Sequence, residues 1–516
     1  MTTDRPIDLD RLTLDGVRAG DLRGRPVTVL GLARSGISLA RFFVDAGADV
    51  TIYDGRPASD LADAIAAIEG RPVRLAVGPD VVPETTWAGA SLVATSPSIN
   101  PDYPTTEPRL RAALHSLVDA GADRDTSVPA LVSEADLFLR LCPAPTIGVT
   151  GTKGKTTTAS LIAAVLAADP SHAIALGGNI GVPLVERLPE LTSEHRVVIE
   201  LSELQLPTLS RGTTVAVYTN VTSDHLDRHG SVADYRAVKR RLAELVDPDG
   251  ALVLNADDPV VAAYTGSGTQ RSVFYRLEEP VPGGVGLVDD WIVAAGVDRL
   301  PIAGRGPAAG GHDGRIMPAR ELAIPGRHNV SNALAAVAVG LLFGIEPGAI
   351  RQAAAAFTGV EHRLEPVAIL DGVRFINDSQ GTQPDAVVAA LRAFDPPIVL
   401  IAGGRDKGVD LSELAPVVAE RAAAAVLIGE SGPTLEAMFR AAGLERTRRA
   451  TSMEEAVRIA HALARSMRDV GDPYATVLLS PAAASFDMFE DYAARGRAFT
   501  EAVVRLGDER QEEIEG

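Results

Sequence analysis

The 516-residue sequence has little cysteine, few aromatic residues and no excess of positive charge. Cys142 is its only cysteine, so the chain cannot form an internal disulfide and nothing ties the fold to an oxidising compartment. A lone cysteine of this kind is more typical of a small buried side chain than of a nucleophile. Aromatic residues make up only 4%, so the cores must be built from Ala, Val, Leu and Ile.

Long hydrophobic runs are also absent from the sequence. The longest covers Ala333–Ile345, which is short of the ~20 residues that a transmembrane helix needs, and it predicts a buried helix instead. The first residues, Met1–Asp8, are charged and lack the apolar segment of a secretory signal. We therefore expect a soluble cytoplasmic protein with no segment inserted into a membrane.

The formal net charge of −19 disfavours binding to nucleic acid or to an anionic membrane surface. Anionic ligands must therefore be bound by local groups, such as backbone N–H groups, individual Lys and Arg side chains, and cations. Hydrophobic residues make up 46% and charged residues 23%, which are globular proportions. At roughly 100–200 residues per domain, the length suggests about three domains.

Predicted strands alternate with helical segments along the chain, which indicates α/β domains with parallel sheets. The first strand is Val27–Leu32, a short β-branched run. We expect a Rossmann-like N-terminal domain at residues 1–144, a central P-loop-type ATPase domain at 145–359 and a Rossmann-like C-terminal domain at 360–516. The acidic tail, Asp508–Gly516, is predicted to be disordered.

The strongest local motif is Thr150–Thr158 (TGTKGKTTT), which follows a predicted strand and precedes an apolar helix. Gly151 and Gly154 allow the backbone to curl so that its N–H groups face a phosphate, and the helix N-terminus adds positive potential. Lys155 can reach the β- and γ-phosphates, and the Thr156 hydroxyl can bind Mg²⁺. The strict Walker A spacing is not met, but the Lys-Gly-Lys-Thr-Thr run favours a nucleotide loop over an ordinary glycine-rich turn.

Polar residues follow the next predicted strands of the central domain. Glu200 ends an apolar strand, where a carboxylate points towards the ligand crevice of an α/β sheet and can complete a cation site with phosphates. A lone Glu in this place is more often a solvated residue at the rim of the sheet. The segment Thr219–Arg228, which contains His225, concentrates polar side chains directly after a strand. Metal or substrate contact would account for it, and so would an ordinary polar loop. Taken alone, Lys239 on the following predicted helix is a surface lysine.

The first predicted strand-to-helix turn, Gly31–Gly36, lacks the G-x-G-x-x-G spacing of dinucleotide-binding proteins. Asp54 ends the next strand, in the place where a Rossmann acid contacts ribose. NAD binding is therefore poorly supported, and a nucleotide-like group near Ser35 and Asp54 is the better interpretation. On local sequence alone, a purely structural turn explains the pattern equally well.

In the C-terminal domain, polar segments follow or border several predicted strands. Because the carboxyl ends of parallel strands meet at one edge of a sheet, these segments should converge on one crevice. They are Glu361–Arg363, Asn377–Ser379, Gly403–Lys407 and Ser480–Ser485.

Taken together, these motifs resemble those of one family, the Mur ligases, and they occur in the family's order along most of the chain. The matching segments are Thr150–Thr158, Gly178–Gly181, Glu200–Ser202, Asn220–His225, Gly326–Asn329, Glu361–Arg363, Asn377–Ser379 and Leu479–Ala482. Within the family, the resemblance is to the glutamate-adding type, through Gly31–Gly36, Asp54 and Ser480–Phe486. The family has three α/β domains, which bind in turn the UDP part of the substrate, ATP and the incoming amino acid.

The resemblance implies an ATP-dependent ligase that adds D-glutamate to UDP-N-acetylmuramoyl-L-alanine in peptidoglycan precursor synthesis, with ATP and Mg²⁺ as cofactors. ATP would phosphorylate the alanyl carboxylate, the glutamate amine would attack the acyl phosphate, and the tetrahedral intermediate would collapse to an amide and phosphate. Because charge builds up on the γ-phosphate oxygens during transfer, cations must surround them. We expect a monomer that binds these small molecules and no nucleic acid.

The resemblance also implies roles for individual residues. The catalytic positions are Lys155, Glu200, His225 and Lys239. The metal positions are Thr156, Glu200, His225 and Lys239, the last of these as a lysine that is carbamylated in this family. The ATP-binding positions are Gly151, Thr152, Lys153, Gly154, Lys155, Thr156, Thr157, Asn329, Arg363 and Asp378. The positions that bind the UDP substrate are Ser35, Asp54, Asn179, Ser202 and Gln205. The glutamate-binding positions are Thr382, Lys407, Ser485, Phe486 and Tyr492.

The sequence departs from the family pattern at three positions. Gln380 stands where a lysine is usual, Glu203 replaces a serine and Ser98 replaces a glycine. The missing lysine removes a positive charge near the amino-acid site, so a ligase that adds L-glutamate is the main alternative.

Two further alternatives belong to other classes of protein. Folylpolyglutamate synthase shares the P-loop and the ligase chemistry, but it lacks a UDP-binding first domain, which Val27–Asp54 argues against. A nucleotide-binding regulator without catalysis would be favoured if the chain lacked one of four residues, all of which are present: Lys155, Glu200, His225 and Lys239.

Overall fold

The computed structural model describes residues 6–122, 128–180, 183–222, 231–268, 270–300, 312–324, 326–382, 384–405, 411, 413–468, 474–485 and 487–515. The chain forms two compact units, Met1–Phe357 and Thr358–Gly516. Two β-sheets lie in the first unit and one in the second. The predicted α/β fold class is therefore confirmed, whereas the predicted bounds of the three domains stay predictions.

The first sheet is parallel throughout, with the strand order β3-β2-β1-β4-β5. Its strands are β1 (Pro26–Leu30), β2 (Asp49–Asp54), β3 (Val73–Val77), β4 (Leu92–Thr95) and β5 (Ala130–Ser133). Its helices are α1 (Leu14–Ala19), α2 (Arg34–Asp45), α3 (Ala62–Ala66), α4 (Pro83–Thr86), α5 (Pro108–Ala122) and α6 (Glu134–Leu141). The strand order reverses between β1 and β4, and the carboxyl ends at such a point form the ligand crevice of open α/β sheets.

The second sheet has the order β14-β13-β12-β11-β10-β9-β6-β8-β7, and its last two strand pairs, β12·β13 and β13·β14, are antiparallel. Its strands are β6 (Thr146–Thr150), β7 (Ala173–Gly178), β8 (His195–Glu200), β9 (Val215–Tyr218), β10 (Ala251–Asn255), β11 (Arg271–Tyr275), β12 (Val285–Val288), β13 (Trp291–Val297) and β14 (His312–Pro318). Its helices are α7 (Lys155–Leu166), α8 (Val232–Leu245), α9 (Pro259–Ala262), α10 (Arg327–Leu342) and α11 (Pro347–Ala356).

Apolar packing joins the first two sheets into one unit. A single buried cluster runs from Val29 in β1 and Phe138 in α6 to Leu206 and to Tyr218 in β9 of the second sheet. A second cluster fills the opposite face of the second sheet, where α7 and α10 pack together. Residues Ala333–Leu342 of α10 are all buried, which confirms the predicted buried helix.

The third sheet has the order β15-β16-β20-β17-β18-β19, and only its edge strand β15 pairs antiparallel. Its strands are β15 (Glu365–Leu370), β16 (Val373–Asn377), β17 (Ile398–Gly403), β18 (Ala424–Ile428), β19 (Thr447–Arg449) and β20 (Ala475–Leu479). Its helices are α12 (Pro384–Arg392), α13 (Leu414–Arg421), α14 (Gly432–Ala441), α15 (Met453–Met467) and α16 (Tyr492–Glu515). Separate apolar clusters cover its two faces.

The acidic tail is helical, so the prediction of disorder for Asp508–Gly516 was wrong as far as Glu515. Phe499 and Val503 of α16 are buried against the third sheet, and they anchor the helix ahead of the tail. Arg510 forms an ion pair with Asp371 at 2.9 Å, which ties the start of the tail to the β15–β16 turn. No helix in the described ranges is long and apolar enough to cross a bilayer.

The packing of α10 on α7 gives a test of the core. A Cβ added at Gly340 would lie 2.7 Å from Val165 Cγ1 and 3.0 Å from Ile350 Cδ1, so there is no room for a side chain. We expect Gly340→Leu to lower the free energy of unfolding by about 3 kcal/mol through overpacking, as measured by urea denaturation. Gly348→Leu on the exposed side of α11 is the matched control, since a Cβ there meets nothing within 4 Å. Equal losses in the two variants would contradict this account.

Candidate functional site

The loop Gly151–Gly154 connects β6, which lies between β9 and β8 in the second sheet, to α7, and its path depends on glycine. Gly151 has a φ of +147° and Gly154 a φ of +82°, which L-residues with side chains rarely adopt. Asn220, which follows β9, holds the loop in place. Its backbone oxygen accepts from Thr152 N at 2.7 Å, and its side-chain oxygen accepts from Lys153 N at 2.9 Å. The loop therefore presents the N-terminus of α7, a position that favours anions.

Two lysine ammonium groups lie against the carbonyls of this loop. Lys155 Nζ donates to Gly151 O at 3.1 Å and to Thr152 O at 2.8 Å. Lys239 Nζ donates to Gly151 O at 3.1 Å and to Thr150 Oγ1 at 3.3 Å. Lys239 is 0% exposed. The interpretation of Lys239 as a surface lysine was therefore wrong, because the face of α8 that carries it packs against the loop.

The sequence contains only four lysines among its 49 basic residues. All four are predicted site residues: Lys153, Lys155, Lys239 and Lys407. Lys153 is exposed on the loop, while Lys407 lies outside the described residues. Arginine supplies the other basic positions of the chain.

Glu200 at the end of β8 is 2% exposed, and both of its carboxylate oxygens accept hydrogen bonds. Thr156 Oγ1 donates to one oxygen at 2.8 Å and Asn179 Nδ2 to the other at 2.9 Å. A hydroxyl and a carboxylate beside a phosphate-binding helix N-terminus are the hard oxygen ligands that Mg²⁺ prefers, so these residues fit a Mg–nucleotide complex.

The described residues include only part of the predicted metal site, which stays a prediction. It brings Thr156 and Glu200 into contact and sets Lys239 against the same loop, but His225 lies outside the described residues. Among the residues that are described, no group of three or more His, Cys, Asp or Glu side chains could hold a metal ion.

The first turns of α10 meet the phosphate loop through a chain of side-chain hydrogen bonds. Thr158 Oγ1 on α7 donates to Asn332 Oδ1 at 3.1 Å, and Asn332 Nδ2 donates to Asn329 Oδ1 at 3.1 Å. Asn329, a predicted ATP-binding residue, is therefore oriented by Asn332, which was not among the predicted site residues. The spacing of three residues places both side chains on one helix face.

Ser202 and Gln205, both predicted to bind the UDP substrate, pair with each other. Ser202 N and Oγ donate to Gln205 Oε1 at 2.9 and 3.0 Å, and both side chains are buried. Gln205 lines a cavity of about 10 Å³ together with Gly178 and Glu134, which begins α6. That volume suits a single water molecule.

Glu134 is a buried acid that the sequence did not single out. Burial raises its pKa to about 7, although the Val185 N–H and the charge of Arg34 oppose the shift. The contacts that surround it come from segments far apart in the chain, so no local pattern marks it.

At the first sheet, Asp54 is paired rather than open to a ligand. Its carboxylate accepts from Leu32 N at 2.8 Å and from the Arg56 side chain at 2.8 and 3.0 Å. Burial disfavours the charged form, but the Arg56 guanidinium and the backbone N–H groups outweigh it and hold the pKa of Asp54 below its usual value. The half-exposed cation at this strand end is Arg56, which was missed, although it lies only two residues after the predicted acid. Ser35 is half-buried in the first turn of α2.

In the second unit, Asp378 follows β16 and is buried. Its carboxylate accepts from Ser480 Oγ at 2.7 Å and from Leu364 N at 3.2 Å. Burial raises its pKa to about 6, and the Ser480 hydrogen bond and the charge of Arg363 only partly oppose this. Arg363, predicted with Asp378 to bind ATP, is exposed on the turn that precedes β15.

Arg495 on α16 is buried, three residues after the predicted glutamate-binding residue Tyr492. Its guanidinium donates to Ser379 O at 2.9 Å, Ser379 Oγ at 3.0 Å and Ala483 O at 3.1 Å, and burial lowers its pKa to about 10. Ser379 Oγ also donates to the backbone oxygen of Tyr492 at 2.7 Å. Arg495 was not among the predicted site residues, and it lies in the first turn of helix α16. It joins the loops that carry Thr382 and Ser485, while Lys407 and Phe486 lie outside the described residues.

The chain matches two family models and many known relatives. The model described as the Mur ligase middle domain matches residues 149–340, and that described as the Mur ligase glutamate ligase domain matches residues 362–482. UDP-N-acetylmuramoylalanine–D-glutamate ligase of Symbiobacterium thermophilum is 39% identical over 93% of this chain and 97% of its own length. The enzyme with that name from Pelotomaculum thermopropionicum is 37% identical over 94% of this chain and 99% of its own length.

A solved structure shares the fold. UDP-N-acetylmuramate-alanine ligase of Thermotoga maritima aligns with a TM-score of 0.52 at 18% identity, covering 93% of this chain and 99% of its own. At that identity the likeness extends to the fold alone.

The raised pKa of Asp378 makes stability depend on pH. Because the folded-state pKa of about 6 exceeds the ordinary 3.8, the contribution of Asp378 to stability is full below pH 3.8 and is lost as the pH rises through 6. Asp378→Asn, which stays neutral, should therefore gain roughly 3 kcal/mol relative to wild type between pH 4 and pH 8, as measured by urea denaturation. The exposed Asp395→Asn in the same unit is the matched control. The same pH dependence in both variants would argue against the burial of a charge at Asp378.

Proposed function

Because the chain belongs to the Mur ligase family, we propose that it joins D-glutamate to UDP-N-acetylmuramoyl-L-alanine in an ATP-dependent reaction of peptidoglycan precursor synthesis. The observation that carries the proposal is the meeting of Lys155, Lys239 and the Thr156–Glu200 pair at one loop. That loop follows β6 of the second sheet. The relatives that match this chain over nearly its whole length are named as D-glutamate ligases.

The loop would bind the phosphates of ATP. The N–H groups of residues 151–157 and the N-terminus of α7 favour the anion. Lys155, which now donates to two loop carbonyls, would turn to the β- and γ-phosphates. Thr156 and Glu200 would hold Mg²⁺, which supplies charge neutralisation on the γ-phosphate. His225 is proposed as a further residue of this site on family resemblance.

Lys239 has the position for a second role. It is fully buried beside the carbonyl of Gly151, so its side chain cannot leave the site without unpacking α8. Carbamylation joins the neutral amine to CO₂ and releases a proton, which turns the cation into a carboxylate. We propose that Lys239 acts in this form, as the resemblance implies.

The UDP substrate and glutamate would bind at the carboxyl ends of the strands of the other two sheets. We propose that Ser35, with Arg56 held by Asp54, binds the UDP part, and that Asn179, Ser202 and Gln205 line its path. In the second unit, Arg363 and Asp378 would bind the nucleotide. The glutamate would be bound by Thr382, Lys407, Ser485, Phe486 and Tyr492.

The first prediction of this proposal concerns the amino acid. Phosphate release should be measured with ATP, Mg²⁺ and UDP-N-acetylmuramoyl-L-alanine, with D-glutamate and L-glutamate in parallel. We expect turnover with D-glutamate and none above background with L-glutamate, since the relatives are named for the D-isomer. Turnover with L-glutamate alone would identify the L-adding variant, and no turnover with either would favour the regulator.

The second prediction concerns Lys239. Lys239→Ala should lower kcat about 10³-fold or more, because it removes a charged group from the γ-phosphate region, and formate or acetate should restore part of the activity. Arg240→Ala is the matched control, since Arg240 is half-exposed and pairs with Glu244 on the surface of α8. Full activity of Lys239→Ala without added acid would contradict the proposed role of a carbamate at Lys239.

A further inference from the structure

The turn Glu361–Leu364, which carries Arg363, has a backbone conformation that needs support. His362 and Leu364 have φ values of +62° and +45°, in the left-handed region that residues other than glycine rarely adopt. Such conformations persist only where the surrounding structure holds them, and they concentrate at ligand sites. The position of Arg363, between the two strained residues, therefore depends on the contacts of the turn.

Several contacts that hold the turn come from the end of β16 and the segment that follows it, in addition to His362 N, which donates to Glu365 Oε2 at 2.8 Å. Asp378 Oδ1 accepts from Leu364 N at 3.2 Å, and Asn377 Nδ2 lies 3.0 Å from His362 Nδ1. Gln380 makes two contacts: its backbone N donates to His362 O at 3.0 Å, and its side-chain Nε2 donates to Glu361 O at 3.1 Å. Residues 377–380 therefore contact both strained residues, His362 and Leu364. Among them, Gln380 is the residue whose side chain contacts Glu361, at the start of the turn.

We propose that Gln380 is a positioning residue for Arg363, which sets the affinity for nucleotide and takes no part in the choice of amino acid. The inference rests on the proposed function, because the nucleotide contact of Arg363 belongs to it. The Gln380 amide is committed to a carbonyl on the Arg363 turn. The sequence suggested instead that this position had lost a charge needed at the amino-acid site.

The same contact explains why glutamine can stand where the family has lysine. The carbonyl of Glu361 accepts from the Gln380 amide, and a lysine ammonium, one bond further from Cα, is also a donor. The exchange keeps the hydrogen bond and gives up only the charge. It therefore provides no reason to expect a reversed preference between D- and L-glutamate.

The test is Gln380→Met, which keeps the length and neutrality of the side chain and removes the donor. We expect KM for ATP to rise about fivefold, the factor typical of one hydrogen bond between neutral groups. KM for glutamate, kcat and the ratio of D- to L-glutamate turnover should stay within about twofold. Gln380→Lys should return KM for ATP to the wild-type value or below it, because it restores a donor. Gln380→Glu, which presents an acceptor to the Glu361 carbonyl, should be at least as impaired as Gln380→Met.

Gln352→Met on the exposed face of α11 is the matched control, and it should change none of these constants. A change in KM for glutamate or in the D/L ratio of Gln380→Met, with KM for ATP unaltered, would assign Gln380 to the amino-acid site and overturn the proposal. The proposal would also be overturned if Gln380→Met had the same kinetic constants and the same D/L ratio as the wild type. Titration calorimetry with a non-hydrolysable ATP analogue measures the same change without turnover. If wild type binds the analogue but makes no product, the proposed function fails while Gln380 is still tested.

Discussion

The carbonyl oxygen of Gly151 accepts hydrogen bonds from two ammonium groups, and much of the first unit is arranged around this point. Lys155 and Lys239 each lie 3.1 Å from that oxygen, so their nitrogens are no more than about 6 Å apart. At an effective dielectric constant of ~20, two like charges at that distance repel by about 3 kcal/mol. An arriving triphosphate, or the conversion of one amine to an anion, relieves this repulsion. The loop is thus least stable in the absence of the anion that it is proposed to bind.

The supports of the loop follow from that constraint. The carbonyl of Gly151 can face the lysines only because its φ of +147° is available to glycine, and Asn220 holds the next two residues from the neighbouring strand end. Glu200 is buried at the end of β8, where its two carboxylate oxygens accept hydrogen bonds from the Thr156 hydroxyl and the Asn179 amide. The third sheet has a buried acid of the same kind, Asp378, which accepts hydrogen bonds from Ser480 and from the backbone of Leu364.

The features that depend on local patterns could be predicted from the sequence, and those that depend on distant contacts could not. The alternation of strands and helices, the glycine loop and the buried helix after Asn332 are local, and all are present in the structure. Lys239 was misinterpreted because its exposure depends on which face of α8 meets a loop some 90 residues away. The tail after Val503 is polar, yet its helix continues because an apolar segment before it is anchored in a core. Arg495 was missed because its partners, Ser379 and Ala483, come from other segments of the chain.

Because lysine is scarce in this chain, reactions of side-chain primary amines are confined to the proposed site. Apart from the chain's amino terminus, the only primary amines are those of Lys153, Lys155, Lys239 and Lys407, and all the remaining basic side chains are guanidinium groups that acylating reagents leave alone. Acylation of lysine in this protein therefore reports on the proposed site alone, and a bound ligand that covers these amines should slow the reaction. In the same way, a carbamate formed from isotopically labelled CO₂ would give a spectrum without the background that surface lysines produce in an ordinary protein of this size.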